Sequence, residues 1–116
     1  MICYSEAMPV SVKSHIMGGT GEYLSKEIFT KEQMEGRARL FSVNTLPQGC
    51  SIGVHTHTAE AEAYLILQGE ATVTEDGKEY LLHASDAEFC AAGHSHGIAN
   101  HAPQELVFLA VIMVDP

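Results

Sequence analysis

Between Gly49 and Gly69 the chain reads GCSIGVHTHTAEAEAYLILQG, and the residues there that can do chemistry are His55, His57 and Glu62. Imidazole nitrogen and carboxylate oxygen together make a donor set for a divalent metal ion. The two histidines are spaced i, i+2, which on a β-strand sends both rings into one space. Glu62 follows the turn-like TAEA and opens the apolar run AYLILQ. A strand–turn–strand hairpin would therefore set Glu62 beside the histidines, as a third ligand or as a base. Glu60 is a competing carboxylate two residues earlier. Tyr64 shares Glu62's face by parity and can orient a substrate or carry a proton through its hydroxyl. Further on, His94 and His96 share parity with each other, so parity alone allows either to coordinate. His94 is also a candidate acid–base group.

These side chains need a scaffold of strands, and the pattern supplies one. Alternation and turn residues predict strands over Tyr23–Phe29, Arg37–Leu46, Ser51–His57, Glu62–Gln68 and Ala71–Thr74, with Asp76-Gly77 as a hairpin turn. Further strands are expected over Glu79–Leu82, Ala87–Ala91, Gly97–His101 and Leu106–Val114. Short strands at even spacing make an all-β sandwich or barrel. Thr30 and Gln33 have the spacing of a capping box, which predicts one or two helical turns ended by Gly36. Residues 1–20 are weakly patterned and read as an N-terminal arm or an edge strand, with Gly18, Gly19 and Gly21 as a turn. Arg37 and Arg39 fall on one face of their strand, where they can bind an acidic group or simply cover a solvated surface. Leu106–Val114 is apolar on both faces, and its outer face needs a cover. A second subunit is the simplest one, so a homodimer is expected.

The whole chain of 116 residues is of a size for one domain. Its 15 acidic against 6 basic side chains, a net charge of −9, exclude the basic patches that nucleic acid or anionic membranes require. The longest apolar run is too short to span a bilayer, and MICYSEAMPV has no basic segment ahead of an apolar core. A cytoplasmic location is expected. Cys3, Cys50 and Cys90 are odd in number and lack CxxC spacing, which suits free thiols. Cys50 and Cys90 flank the chemistry-bearing segments, most simply as small apolar filler.

Gly49, His55, His57, Glu62 and Gly69 together resemble the first motif of the cupins. SDAEFCAAGHSHGIAN, from Ser85 to Asn100, resembles the second, with Gly93, His96 and Asn100 at its spacings. Ser85 and Ala91 depart from that motif at turn positions and leave the ligand positions untouched. The resemblance implies a small double-stranded β-helix (jelly-roll) barrel over residues 1–116 with a metal on His55, His57, Glu62 and His96. It also settles His96 over His94, and makes Asn100 a structural hydrogen-bonder. Three neutral histidines and a carboxylate leave a divalent ion with a net charge of about +1, and six-coordination leaves two positions open. Manganese or iron is favoured, with zinc or nickel as alternatives. The expected function is to act on, or to bind without turnover, a small oxygen-rich metabolite that chelates the metal, by chemistry of the dioxygenase, isomerase or lyase kind.

Overall fold

The fold is two antiparallel sheets facing each other, seen in a computed structural model that describes residues 1–115. Its ten strands are β1 (Val10–Ser14), β2 (Glu22–Glu27), β3 (Ala38–Leu46), β4 (Ser51–Thr56) and β5 (Glu60–Gln68), then β6 (Glu70–Glu75), β7 (Lys78–His83), β8 (Ala87–Cys90), β9 (Ser95–Ala99) and β10 (Leu106–Val114). One sheet has the order β1-β2-β3-β10-β5-β8, the other β4-β9-β6-β7. The only helical elements among the described residues are two short 3-10 turns, Ser5–Ala7 and Ile16–Gly18. The expected all-β jelly-roll barrel is what the chain forms.

Alternation builds the core. On β10 Leu106, Phe108, Ala110 and Ile112 are buried, while Val107, Leu109 and Val111 on the other face are half-buried. Leu46, Ile52, Tyr64, Ile66, Val73 and Ile98 close around them from the other strands. Burial of this kind yields about 25 cal/mol for each Å² of apolar surface removed from water. Asn100 ties the barrel's end: its Nδ2 donates to the carbonyls of Leu46 and Gln104, both at 2.9 Å, and its Oδ1 accepts from the Ala102 N–H at 3.0 Å.

Three departures from the sequence reading bear on the site. First, the capping box forms but the helix does not. Thr30 N–H donates to Gln33 Oε1 at 2.9 Å and Gln33 N–H to Thr30 Oγ1 at 3.1 Å. Met34 N–H then closes one turn on Thr30 O, and Glu35 and Gly36 at φ +58° and +72° end it. One turn cannot offset the cost of helix nucleation, so the segment stays a turn. Second, β9 runs over Ser95–Ala99, two residues earlier than expected, while residues 10–14 pair with β2 as an edge strand, one of the two readings given for that segment.

Third, two of the three bulges among the paired strands break parity beside the site. Between Ile52↔Ile98 and His55↔His96, Gly53 and Val54 oppose the single residue Gly97, so Ile52 and His55 both face inward. Between Ile112↔Leu40 and Met113↔Ala38, Arg39 is the extra residue and leaves the face of Phe41 and Val43. Bulges re-aim side chains in this way. The turn at Ile16–Gly18 packs directly on β4. A Cβ on Gly53 would lie 2.0 Å from the Met17 carbonyl oxygen, and one on Gly19 would lie 2.1 Å from that of Ser51, so both positions need glycine.

Candidate metal centre

The four residues expected as ligands come together from three strands: His55 and His57 at the end of β4, Glu62 on β5 and His96 on β9. His57 Nε2 lies 3.1 Å from His55 Nε2, 3.1 Å from His96 Nε2 and 3.0 Å from Glu62 Oε1. Glu62 Oε1 is 2.8 Å from His96 Nε2 and 3.6 Å from His55 Nε2. All but His55 are buried.

The outward nitrogen of each ring fixes which nitrogen is bare. His55 Nδ1 donates to Gly53 O at 2.7 Å, His57 Nδ1 to Glu60 Oε1 at 3.1 Å, and His96 Nδ1 to Glu88 Oε1 at 2.8 Å. Each acceptor is a carbonyl or a carboxylate, so Nδ1 carries the proton and the neutral rings present three Nε2 lone pairs to one another. Lone pairs cannot face each other at 3.1 Å without a cation between them. With metal–donor lengths of about 2.1 Å, donors at right angles stand about 3.0 Å apart and tetrahedral donors about 3.4 Å apart. Four of the five separations match the right-angle arrangement, which leaves further positions open. The donor set therefore fits a metal ion that is not closed off by protein.

Without a metal, a proton takes its place. Burial alone would lower the His96 pKa, but hydrogen bonds to Glu62 and Glu88 outweigh it and raise the value to about 9. Burial would raise Glu62, yet the His55 and His96 rings bring it down to about 2. Glu60 is likewise drawn down to about 2, chiefly by Arg39. Arg39 grips both Glu60 oxygens at 2.6 Å, so a chain Arg39–Glu60–His57 stands behind one ligand. Behind another, Glu88 keeps a buried Oε2 with no partner.

Tyr64 is 2% exposed and stacks on the His96 ring, with centroids 4.7 Å apart and planes 10° from parallel. Burial, and then the charges of Glu62 and Glu88, push its phenol well above the usual value, so it stays a donor. His94 is not brought to the cluster. It precedes β9, in a turn, with an exposed ring whose Nδ1 meets Asp76 Oδ2 at 2.6 Å. Its backbone does serve the site, since its carbonyl accepts the His57 N–H at 3.3 Å. Arg37 is exposed and lies near Glu35. Cys50 and Cys90 are buried free thiols. Cys90 sits beside Glu88 on the far side of His96, and burial, helped by that carboxylate, pushes its thiol up to about 11.

A cavity of ≈ 190 Å³ opens beside His55, His57 and Glu62. Its lining mixes the apolar Ile16, Leu40, Ile52 and Ile112 with the polar Ser25, Ser42 and Asn44. Lys13 and the bulged Arg39 also reach it. The sequence reading missed Glu88, Lys13 and the wall built by residues 16–17. A lone carboxylate in the apolar strand AEFC was the signal for Glu88; the other two follow only from packing.

Comparison with known proteins agrees with this geometry. Residues 42–112 match the family described as Cupin domain. An oxalate-binding protein of Thermotoga maritima is 41% identical over 110 residues, covering 95% of this chain and 90% of its own. A Thermotoga maritima crystal structure, described as that of a predicted oxalate decarboxylase, superposes with a TM-score of 0.94 at 38% identity, covering 98% of this chain and 99% of that one. The cupin domain of Cnp3 from Schizosaccharomyces pombe shares the fold at a TM-score of 0.72 and 15% identity, covering 90% of this chain and 69% of its own. On the match of more than half its length and on these relatives, the chain belongs to the cupin family.

Proposed function

We propose that the chain is a metal-dependent binding protein for a small acid that chelates through two oxygens, with oxalate as the reference ligand. His55, His57, Glu62 and His96 hold the metal. The observation behind this is the convergence of three imidazole nitrogens and one carboxylate oxygen, 2.8 to 3.6 Å apart, on the wall of a cavity. Nitrogen and oxygen donors without thiolate favour manganese or iron, with zinc or nickel as alternatives. A bound ion supplies a positive centre that attracts and polarises the acid's oxygens.

The chain's own groups do the rest. Gly53 O, Glu60 and Glu88 keep the three rings turned with Nε2 inward, and Tyr64 stops the His96 ring from tilting. Ile52 and Ile112 exclude water, which strengthens every polar contact inside. The name carried by the Thermotoga relative supports oxalate as the reference. Among the described residues the cavity lining holds no carboxyl group besides Glu62, and His94 lies outside it, which favours binding over turnover.

A second reading, turnover, is favoured by the relative described as a predicted oxalate decarboxylase. In that case Tyr64 is the proton carrier at hand. Calorimetry of manganese-loaded and metal-stripped protein with oxalate tests the first reading, which requires heat only from the loaded form. Equal binding by the stripped protein would overturn it. Formate release from oxalate would favour the second.

The back of the six-stranded sheet supports a homodimer as part of the same proposal. Phe41, Val43, Leu65, Phe89, Leu109 and Val111 tile it through the pairs Leu109↔Val43, Leu109↔Leu65 and Val111↔Phe41. β2, β3, β10, β5 and β8, about 4.8 Å apart with about 3.3 Å per residue, present roughly 600 Å² of flat area. That approaches the about 800 Å² that each partner brings to a standard interface. On a chain of net charge −9, a face with so few charges is where a second copy meets least repulsion.

A further inference from the structure

The proposed ligand class explains only one end of the cavity. Oxalate held by two oxygens stays at His55, His57 and Glu62. The space continues, and its ≈ 190 Å³ exceeds the about 150 Å³ of a cavity that takes a benzene ring. Its far part is lined by residues from strands remote from Glu62 in the sheet. Ser42 and Asn44 stand on β3, two strands from β5, and Ser25 on β2, three strands away. At about 4.8 Å per strand, the lining extends about 10 Å or more from the cluster, measured along the sheet.

That far part is polar and borders one exposed cation, Lys13. Ser25, Ser42 and Asn44 are buried polar side chains at 7%, 2% and 4% exposure, and their one mutual contact is a long one, Ser42 Oγ to Asn44 Oδ1 at 3.4 Å. Hydroxyl and amide side chains that line a cavity can hydrogen-bond a ligand inside it. Lys13 stands opposite the cavity-lining Tyr23 in the β1–β2 register, so its side chain shares that face. Among the described residues it makes no ion pair, in a chain with only 6 basic residues. Arg39 differs: Glu60 already compensates its charge. Lys13 is thus the uncompensated cation of this cavity.

Resting on the reading above, we propose that the preferred ligand is a dicarboxylate longer than oxalate, a 2-oxo or 2-hydroxy diacid of four or five carbons. Its carboxylate and adjacent oxygen chelate at the cluster, its short chain lies between Ile52 and Ser42, and its distal carboxylate meets Lys13. Lys13 is then a specificity-determining residue that a two-carbon diacid does not reach.

Calorimetry of the manganese-loaded protein with oxalate, pyruvate and 2-oxoglutarate tests this. 2-Oxoglutarate should bind about five- to tenfold more tightly than pyruvate, which shares its chelating end and lacks the distal charge. It should also bind more tightly than oxalate. Lys13→Gln should remove the advantage over pyruvate and leave oxalate affinity unchanged, and Lys13→Arg should retain the advantage. A wild-type protein that binds oxalate as well as or better than 2-oxoglutarate overturns the proposal and leaves the oxalate reading standing. Loss of oxalate and 2-oxoglutarate affinity together in Lys13→Gln overturns it too. If none of the three acids binds the loaded protein, the underlying reading falls and this one with it.

Discussion

The two sheets differ most on their outer faces. The four-stranded sheet turns the half-buried Thr72, Thr74 and Ser95 outward, with Val54 and Leu81 as isolated exposed apolar side chains. The six-stranded sheet turns out Phe41, Val43, Leu65, Leu109 and Val111. Inside, the roles divide another way. The four-stranded sheet brings all three histidines, while the six-stranded sheet brings Glu62 and most of the cavity wall. The candidate metal centre and the apolar back thus sit on separate surfaces and can be tested separately. The four candidate ligands come from one copy, and the apolar back is where the proposed second copy would pack.

Substitutions can pull these properties apart. The largest effect is expected from His96→Ala, which removes one of four donors. Metal affinity should fall by about a thousandfold, beyond the 10–100-fold typical of outer partners, with the dimer mass unchanged in light scattering. A variant that keeps its metal would remove His96 from the ligand set. Next comes Leu109→Glu, at the middle of the apolar back. It buries an unpaired charge in each copy, costing about 3–5 kcal/mol, and should give monomers at micromolar concentration that still bind one metal per chain. A wild-type chain that is already monomeric sinks the dimer.

Glu88→Gln should weaken metal binding by about 10–100-fold, because the amide no longer polarises His96 Nδ1–H. Unchanged affinity would make Glu88 a bystander. A smaller effect is expected from pH. In the metal-free protein, His96 is raised to about 9, so its contribution to stability is full below about 6.5 and lost as pH rises through 9. Glu62 is lowered to about 2, so its contribution is full above about 4.5 and lost as pH falls through 2. The metal-free chain should therefore be most stable between about pH 4.5 and 6.5. Metal must displace the His96 proton, so the rise in Tm on adding manganese should grow from pH 6 to 9. A constant rise across that range would contradict proton displacement. The smallest effect belongs to His94→Ala, an exposed substitution that should leave metal affinity within about twofold. A metal-free His94→Ala would overturn the choice between the two histidines.

Much of this was legible in the chain because strands have a period of two. His55 and His57 at i, i+2, and Glu62 with Tyr64 on the next strand, need only that period to share a space. The residues behind the ligands were not legible, for physical reasons. Arg39 belonged by parity with Phe41, and the bulge at its position turned it to Glu60. His94 belonged by parity with His96, and β9 begins one residue after it. Bulges and strand ends are set by pairing with distant segments, so no local pattern announces them. Lys13 and the wall at Ile16 and Met17 depend on how the first twenty residues fold back, which their weak alternation does not specify.

That fold-back ties two histories together. The turn at Ile16–Gly18 rests on Gly53 with no side chain between, and the Gly53 carbonyl is what holds His55 Nδ1 at 2.7 Å. A change in that turn is therefore felt at two places at once, the cavity wall and a ring of the candidate metal centre. A substitution in the Ile16–Gly18 turn is expected to disturb both, whereas Lys13, on the strand before it, does not touch Gly53.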